Sequence, residues 1–260
     1  MGTRAGAASA TGELARLIVA AERVVALTGA GVSVPSGIPD FRSPGTGLWE
    51  RMDPMEVAHI DAFQRDPKRF WGFYAQRFDS LAHTQPNAAH RALAAMESAG
   101  LLQAVITQNV DELHRKAGTR ELVEVHGSIA SCVCLRCGAS VSREQARLRI
   151  AADPDGVPRC EGCDAPLKPQ VVLFGEMLPE GALLRAQQLC ERADVLLCIG
   201  SSLEVYPVAA LPELTLAAGG AVAIITKGPT PFDELAGVRL DGDVIAEMQG
   251  LLEALGLAPR

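Results

Sequence analysis

Four of the seven cysteines form two C-x-x-C pairs that are 22 residues apart, namely Cys134, Cys137, Cys160 and Cys163. Four thiolates complete a tetrahedral zinc shell that has no open position for water. The pattern therefore predicts one structural zinc site and a reducing compartment. Cys132 is close enough in sequence to replace Cys134 as a ligand. Cys190 and Cys198 are interpreted as small buried residues.

A glycine-containing turn, Thr28-Gly29-Ala30-Gly31, follows the apolar run at residues 24–27. Glycine permits positive φ and a close approach of the backbone to a ligand. Ser33 is placed to cap a helix whose amino terminus would hold a diphosphate. The turn is not the usual dinucleotide fingerprint, because the third glycine of G-x-G-x-x-G would fall on Val34. The next loop carries an acid, an aromatic ring and a planar cation: Asp40, Phe41 and Arg42.

Three more polar groups follow apolar runs. Gln108-Asn109-Val110-Asp111 can hydrogen-bond an amide and ribose hydroxyls, although Asn and Asp also cap helices. Gly200-Ser201-Ser202 suits contact with phosphate. His126 is the histidine we favour as a general base, because imidazole titrates near neutrality and can accept a proton from a sugar hydroxyl.

The elements that must position these residues alternate between strands and helices. Strands are predicted at residues 24–27, 102–107, 122–125, 171–174, 195–200 and 221–226. Helices are predicted at residues 11–21, 54–63, 67–81, 87–98, 111–117, 180–192, 208–218 and 244–255. This alternation predicts an α/β fold, a Rossmann-like parallel sheet with helices on both faces, and ligands beyond the carboxyl ends of the strands. Residues 70–78 are rich in aromatic side chains and are interpreted as a helical insert that packs on the main body.

Composition limits the function classes. The 260 residues are 48% hydrophobic and 21% charged, as expected of a globular enzyme. The formal net charge of −7 disfavours binding to nucleic acid or to an anionic membrane. No apolar run has membrane-spanning length, and the first residues lack the apolar core of a secretory signal, so a cytoplasmic enzyme is expected.

Residues 29–42, GAGVSVPSGIPDFR, resemble the opening motif of the sirtuins, the NAD-dependent protein deacylases. Other sirtuin-like segments follow in the family's order up to Asp243-Val244, where the family closes over the adenine. The resemblance implies an NAD-binding lobe of residues 11–42, 86–130 and 168–260. It also implies a small lobe with a helical module at 43–85 and a zinc-ribbon module at 131–167.

The resemblance also implies the residues that bind NAD. They are Gly29, Ala30, Gly31, Ser33, Asp40, Phe41, Arg42, Gln108, Asn109, Asp111, His126, Gly200, Ser201, Ser202, Thr226 and Val244. His126, Asn109 and Asp111 would be catalytic. The family commonly has glycine at the position of Glu112 and asparagine at that of Thr226, so the electrostatics of the site and its binding of the adenosine ribose are expected to differ here.

Residues 171–176 resemble the family segment whose backbone pairs with the substrate peptide. The residues taken as substrate-binding are Ala58, Tyr74, Arg77, Val172, Phe174, Gly175 and Glu176. Tyr74 and Arg77 resemble the Tyr-x-x-Arg signature of class III sirtuins, which remove succinyl and malonyl groups, and Ala58 falls where that class has a small residue. At i and i+3 of a helix a phenol and a guanidinium converge and can hold a carboxylate. Asp40 and the loop 43–46 are instead more like those of other classes.

The mechanism implied by the resemblance is acyl transfer from lysine to ADP-ribose. The acyl-lysine oxygen displaces nicotinamide, and His126 then acts as general base on a ribose hydroxyl that attacks the acyl carbon. The products would be free lysine, nicotinamide and O-acyl-ADP-ribose. Two other functions remain open, namely ADP-ribosyl transfer to protein and a catalytically silent, NAD-responsive zinc adaptor.

Overall fold

The structure is a computed structural model that describes residues 9–40 and 53–257. Phe41, Arg42 and the loop 43–46 lie outside the described residues. Among the helices in the described ranges, none combines the length and apolarity that a membrane crossing requires.

A six-stranded parallel sheet forms the centre of the NAD-binding lobe, called the large lobe below. Its strands are β1 Val24–Thr28, β2 Ala104–Thr107, β3 Leu122–Glu124, β7 Val195–Ile199, β8 Ala221–Ile225 and β9 Val238–Leu240. Their order across the sheet is β3-β2-β1-β7-β8-β9. The predicted parallel sheet is confirmed. The edge strand β9 was not predicted, because only three residues pair and Arg239 interrupts the apolar pattern.

Helices cover both faces of this sheet. They are α1 Ala10–Ala20, α5 Ala88–Ser98, α6 Leu113–Ala117, α8 Glu180–Arg192, α9 Leu211–Ala217 and α10 Val244–Ala254. Alternate residues of β1 belong to separate cores: Val24 and Ala26 pack with α1, α5 and α10, whereas Val25 and Leu27 pack with α8 and α9. Every side chain of β1 is therefore buried, as expected for the centre of a parallel sheet.

The small lobe has its own sheet and core. Its antiparallel strands are β4 Gly127–Cys134, β5 Ser140–Ser142 and β6 Leu167–Val171. Its helices are α2 Pro54–Val57, α3 Ile60–Arg65, α4 Pro67–His83 and α7 Arg143–Ala152. Of the predicted strand 171–174, only Val171 is in a strand, and that strand belongs to this small sheet.

The aromatic face of α4 packs on the zinc-binding module and not on the main body, which corrects the sequence interpretation. Phe70, Trp71 and Phe78 share a core with residues of β4 and β6. Trp71 Nε1 donates a hydrogen bond of 2.9 Å to the carbonyl of Leu167. The helical and zinc-binding modules therefore form one hydrophobic unit.

Candidate active site

Several residues singled out in the sequence lie at the edge of the large sheet that is formed by the carboxyl ends of its strands. Because the six strands are parallel, their carboxyl ends share that edge. Each of the following positions comes directly, or within four residues, after a strand: Gly29, Gln108, His126, Gly200, Thr226 and Val244. Asp243 caps α10 through bonds from the N–H groups of Ile245 and Ala246.

The glycines after β1 do not adopt the positive φ that the sequence suggested for them. Gly29 has φ −126°, and Gly31 also lacks a positive φ. A Cβ added at either position would lie 2.8 Å from an atom of Gly200, and the N–H of Gly31 donates to the Gly200 carbonyl at 2.8 Å. The glycines therefore let the turns after β1 and β7 touch each other.

Ser33 does not cap an α-helix, which corrects the sequence interpretation. It lies between two short 3-10 turns, at 30–32 and 34–36. Its buried hydroxyl donates to Asp111 Oδ2 at 2.7 Å and accepts from Asn109 Nδ2 at 3.0 Å. Asn109 Nδ2 also donates to the Gly29 carbonyl at 3.1 Å. Four residues predicted to bind NAD thus form one hydrogen-bonded cluster.

Asp111 is almost fully buried in this cluster. Burial raises the pKa of its carboxyl group, while bonds from the Leu113 N–H and the Ser33 hydroxyl act in the opposite direction and lower the pKa. The carboxylate is thus tied to donors on two sides.

His126 lies between β3 and β4 and is half-buried. Its Nδ1 is 2.9 Å from the carbonyl oxygen of Gln108, which can only accept, so Nδ1 carries the proton. Nε2 is then the atom with a free lone pair. Burial lowers the pKa of His126, and the bond to Gln108 raises it in partial compensation. The neutral ring is therefore the predominant form at neutral pH.

Two buried histidines behind the cluster were not predicted to be part of the site. His90 Nε2 lies 3.4 Å from the Ser33 hydroxyl, and His114 Nε2 lies 2.9 Å from the Thr28 hydroxyl. The rings are in edge contact at 4.8 Å between centroids. Burial lowers the pKa of His90 to about 4 and that of His114 to about 3. The sequence did carry a sign of them, because each histidine lies on the apolar face of its helix, His90 on α5 and His114 on α6.

The turn after β7 adds hydroxyl groups. Ser201 is buried and accepts a bond of 3.0 Å from Gln108 Nε2, and Ser202 is half-buried beside it. The N–H of Thr226 donates to the carbonyl of Leu240 at 3.1 Å, and its hydroxyl makes a long 3.5 Å bond to the carbonyl of Lys227. These hydroxyl, amide and carboxylate groups are of the kinds that bind ribose hydroxyls and phosphate oxygens, so the donor set fits a dinucleotide.

The predicted peptide-binding segment connects the two lobes. The N–H of Val172 donates to the His126 carbonyl at 2.8 Å. Phe174 pairs with the helical module, donating to the Ala58 carbonyl at 2.9 Å and accepting from the Ile60 N–H at 3.0 Å. Gly175 follows with φ +84°, and an added Cβ there would lie 2.7 Å from the His59 ring.

The side chain of Glu176 is already bound within the protein. It forms an ion pair of 2.9 Å with Lys168, whose side chain is only 5% exposed, and accepts the N–H of Leu173. Lys168 also donates to the carbonyls of Pro169 and Val171. The backbone N–H of Glu176 also donates, to the carbonyl of Leu173 at 3.0 Å, so the side chain and the N–H of Glu176 both have partners within the protein.

Tyr74 and Arg77 lie on α4, as predicted. Burial raises the pKa of Tyr74 to about 12, the charge of Arg77 lowers it, and that of Glu176 raises it. The Tyr74 ring stacks on Phe70 at 4.3 Å, and the guanidinium of Arg77 lies 4.3 Å from the centroid of the Phe73 ring. Burial lowers the pKa of Arg77. Among the side chains that the structure describes, no carboxylate forms an ion pair with Arg77.

Four cysteines form a cluster whose Sγ atoms all lie within 4.8 Å of one another: Cys134, Cys137, Cys160 and Cys163. Three of the S···S distances are 3.4, 3.6 and 3.7 Å. A tetrahedron with Zn–S bonds of about 2.3 Å has edges of roughly 3.8 Å, so the cluster fits zinc. Cys132 is buried in β4 outside the cluster, and Cys190 and Cys198 are buried as expected.

Comparisons with known proteins agree on one family. The Sir2 family profile matches residues 29–207. The chain is 39% identical to an NAD-dependent protein deacetylase of Thermotoga maritima, over 90% of this chain and 94% of the relative. It is 43% identical to an NAD-dependent protein deacylase of Thermococcus sibiricus, over 92% and 94%. A solved Sir2 variant with deacetylated p53 peptide and 3′-O-acetyl ADP ribose has a TM-score of 0.89 and 38% identity, over 95% of this chain and 98% of that one.

Proposed function

Because this chain belongs to the Sir2 family, we propose that it is an NAD-dependent protein deacylase. It transfers the acyl group of an acyl-lysine in a protein or peptide to ADP-ribose and releases nicotinamide. The observation that carries the proposal is the joining of Ser33, Asn109 and Asp111 at the sheet edge where His126 also lies. A silent adaptor would need none of this geometry.

Each residue has a defined task in this proposal. When bound, NAD supplies the ribose carbon from which nicotinamide departs. Asn109 and Asp111 bind the nicotinamide and ribose end, and the hydroxyls of Ser201 and Ser202 bind on the phosphate side. His126 accepts a proton at Nε2 from a ribose hydroxyl, because Nδ1 is committed to Gln108. The other NAD contacts named from the sequence, including Asp40, Thr226 and Val244, are part of the same proposal.

The direct test incubates the purified protein with NAD and an acetyl-lysine peptide. Release of nicotinamide together with O-acetyl-ADP-ribose is expected. Transfer of labelled ADP-ribose to protein without the acetylated product would instead indicate ADP-ribosyl transfer. NAD that stays intact with every acyl peptide would contradict both enzymatic functions.

We propose further that the acyl pocket accepts acidic groups such as succinyl and malonyl. Arg77 is a half-buried cation without an ion-pair partner among the described residues, and Tyr74 keeps its proton because burial raises its pKa. The pair can give a carboxylate a bidentate bond and a third bond. Ala58 is buried, and it has the small side chain that the class III resemblance implies at this position.

Replacement of Arg77 tests this preference. Arg77→Met should lower kcat/KM for a succinyl-lysine peptide about 10- to 100-fold, the loss of a charged hydrogen bond, and leave the acetyl-lysine value nearly unchanged. Arg69→Met is the matched control, because Arg69 lies on the same helix with its side chain 61% exposed. A succinyl-to-acetyl ratio that stays the same in Arg77→Met would show that Arg77 does not contact the acyl group.

We propose that the four clustered cysteines bind one structural zinc ion. We retain the division into an NAD-binding lobe and a small lobe, which is supported by their separate cores; by sheet membership, the small lobe would begin at Gly127 and end at Val171. A cytoplasmic location is consistent with seven cysteines that form no disulfide.

A further inference from the structure

In the loop after β2, residues that contact the large lobe alternate with residues that contact the small lobe. Asn109 and Asp111 bind Ser33 on the side of the large lobe. Val110, between them, packs in the core of the small lobe, and its carbonyl accepts the N–H of Ile129 of β4 at 3.1 Å. Glu112 continues the pattern, because its carboxylate forms an ion pair with Arg143, the first residue of α7. The zinc-binding module therefore holds the loop at two points.

Glu112 occupies an unfavourable conformation. Its φ of +64° is in the left-handed region, which a residue with a Cβ adopts at a cost. Its side chain and that of Arg143 are each only 14% exposed. Within the described ranges, the buried Nε of Arg143 has no hydrogen-bond partner. The ion pair is thus largely removed from water. It holds the backbone of residue 112 in a conformation that glycine adopts without strain.

We propose that Arg143 is a positioning residue, which acts through Glu112 to hold Asn109 and Asp111 against the NAD site. The proposal rests on the deacylase function above. Without Arg143, the carboxylate of Glu112 would be buried and unpaired, an unfavourable state. Rotation of residue 112 out of the left-handed region would bring the carboxylate to water. That rotation moves Asp111, because the two residues share a peptide bond.

Glycine at position 112 would need no partner. It adopts positive φ without strain and leaves no charge to solvate. In this chain, the ion pair between Glu112 and Arg143 instead holds residue 112 in the left-handed conformation that glycine would adopt without strain. The double substitution should therefore be less harmful than the loss of Arg143 alone.

The test compares steady-state deacetylation by the zinc-loaded parent, Arg143→Met, and the double variant Glu112→Gly/Arg143→Met. Arg143→Met should raise the KM for NAD about tenfold and leave the KM for the peptide unchanged, whereas the double variant should return to within about threefold of the parent. A merely structural role would reduce the active fraction, and hence kcat, with both KM values unchanged. Arg115→Met is the control, since Arg115 forms a neighbouring ion pair with its side chain 57% exposed.

The outcomes are distinct. A KM for NAD within twofold of the parent in Arg143→Met, or a double variant as impaired as the single, would overturn the proposal. If Arg143→Met does not fold, Glu112→Gln takes its place, since its amide keeps the shape but loses the charge, and an unchanged KM for NAD there has the same consequence. A parent that is inactive would instead overturn the deacylase function, and the proposed role of Arg143 with it.

Discussion

At the scale of single residues, the chemistry depends on which nitrogen of His126 is free. His126→Ala should lower kcat for deacetylation about 10²- to 10⁴-fold, the usual contribution of a general base, while the fold and the zinc content stay intact. His83→Ala is a suitable control, because His83 is exposed at the end of α4. Near-normal turnover of His126→Ala at neutral pH would contradict the assignment.

The pH dependence of the same residue has a definite sign. A base must be neutral to accept a proton, and burial lowers the pKa of His126 below its ordinary 6.5. The rate limb that belongs to His126 should therefore lie below pH 6.5, with activity falling as the pH falls through the lowered pKa. A profile of kcat/KM against pH reports the pKa of the free enzyme; a decline that begins above pH 7, and persists in His83→Ala, would contradict a depressed pKa.

At the scale of elements, helices α5 and α6 each bury a histidine behind the site. The unfolded histidines titrate near pH 6.5, whereas the folded pKa values are about 4 for His90 and about 3 for His114. As the pH falls from 6.5 towards 4, the unfolded chain takes up protons that the folded chain does not. The free energy of unfolding should therefore fall by up to about 1.4 kcal/mol per pH unit for each histidine.

Urea unfolding between pH 7 and pH 4.5 measures this loss. His114→Gln keeps a hydrogen-bonding group beside Thr28 but cannot take up a proton in this range. Its stability should depend less steeply on pH than that of the parent, by about one proton. Because carboxylates contribute equally to both curves, parallel curves would show that His114 is not responsible.

The secondary-structure elements also show which features could be predicted from the sequence and which could not. Apolar runs revealed five of the six parallel strands, and the residues after them formed the expected cluster at one edge. Ser33 looked like a helix cap because its true partner, Asp111, lies 78 positions later. Residues 172–174 looked like a strand of the large sheet, but their partners are His126 and Ala58. Such pairings depend on tertiary contacts, which no local pattern records.

At the scale of the whole molecule, zinc should hold the small lobe together and thereby the loop at 108–112. Cys134→Ala should lose the metal and most of the activity, because a four-thiolate site supplies folding free energy directly. Cys132→Ala, on the same strand but outside the cluster, should keep one zinc ion per chain. Metal analysis and limited proteolysis of residues 131–167 would check both. Equal zinc content in the two variants would contradict the proposed ligand set.

The strand order also affects how the protein is made. β1 pairs with β7, and the register Val24↔Val195 joins positions about 170 residues apart. At roughly 5–20 residues per second, a ribosome needs roughly 10–30 s to make the intervening chain. During the first half of that time β2 does not exist either; afterwards β1 has β2 on one side and no partner on the other, and the turn at Gly200 is still to be made. A nascent chain therefore cannot consume NAD, but it presents an apolar strand edge for chaperones to shield until translation is nearly complete.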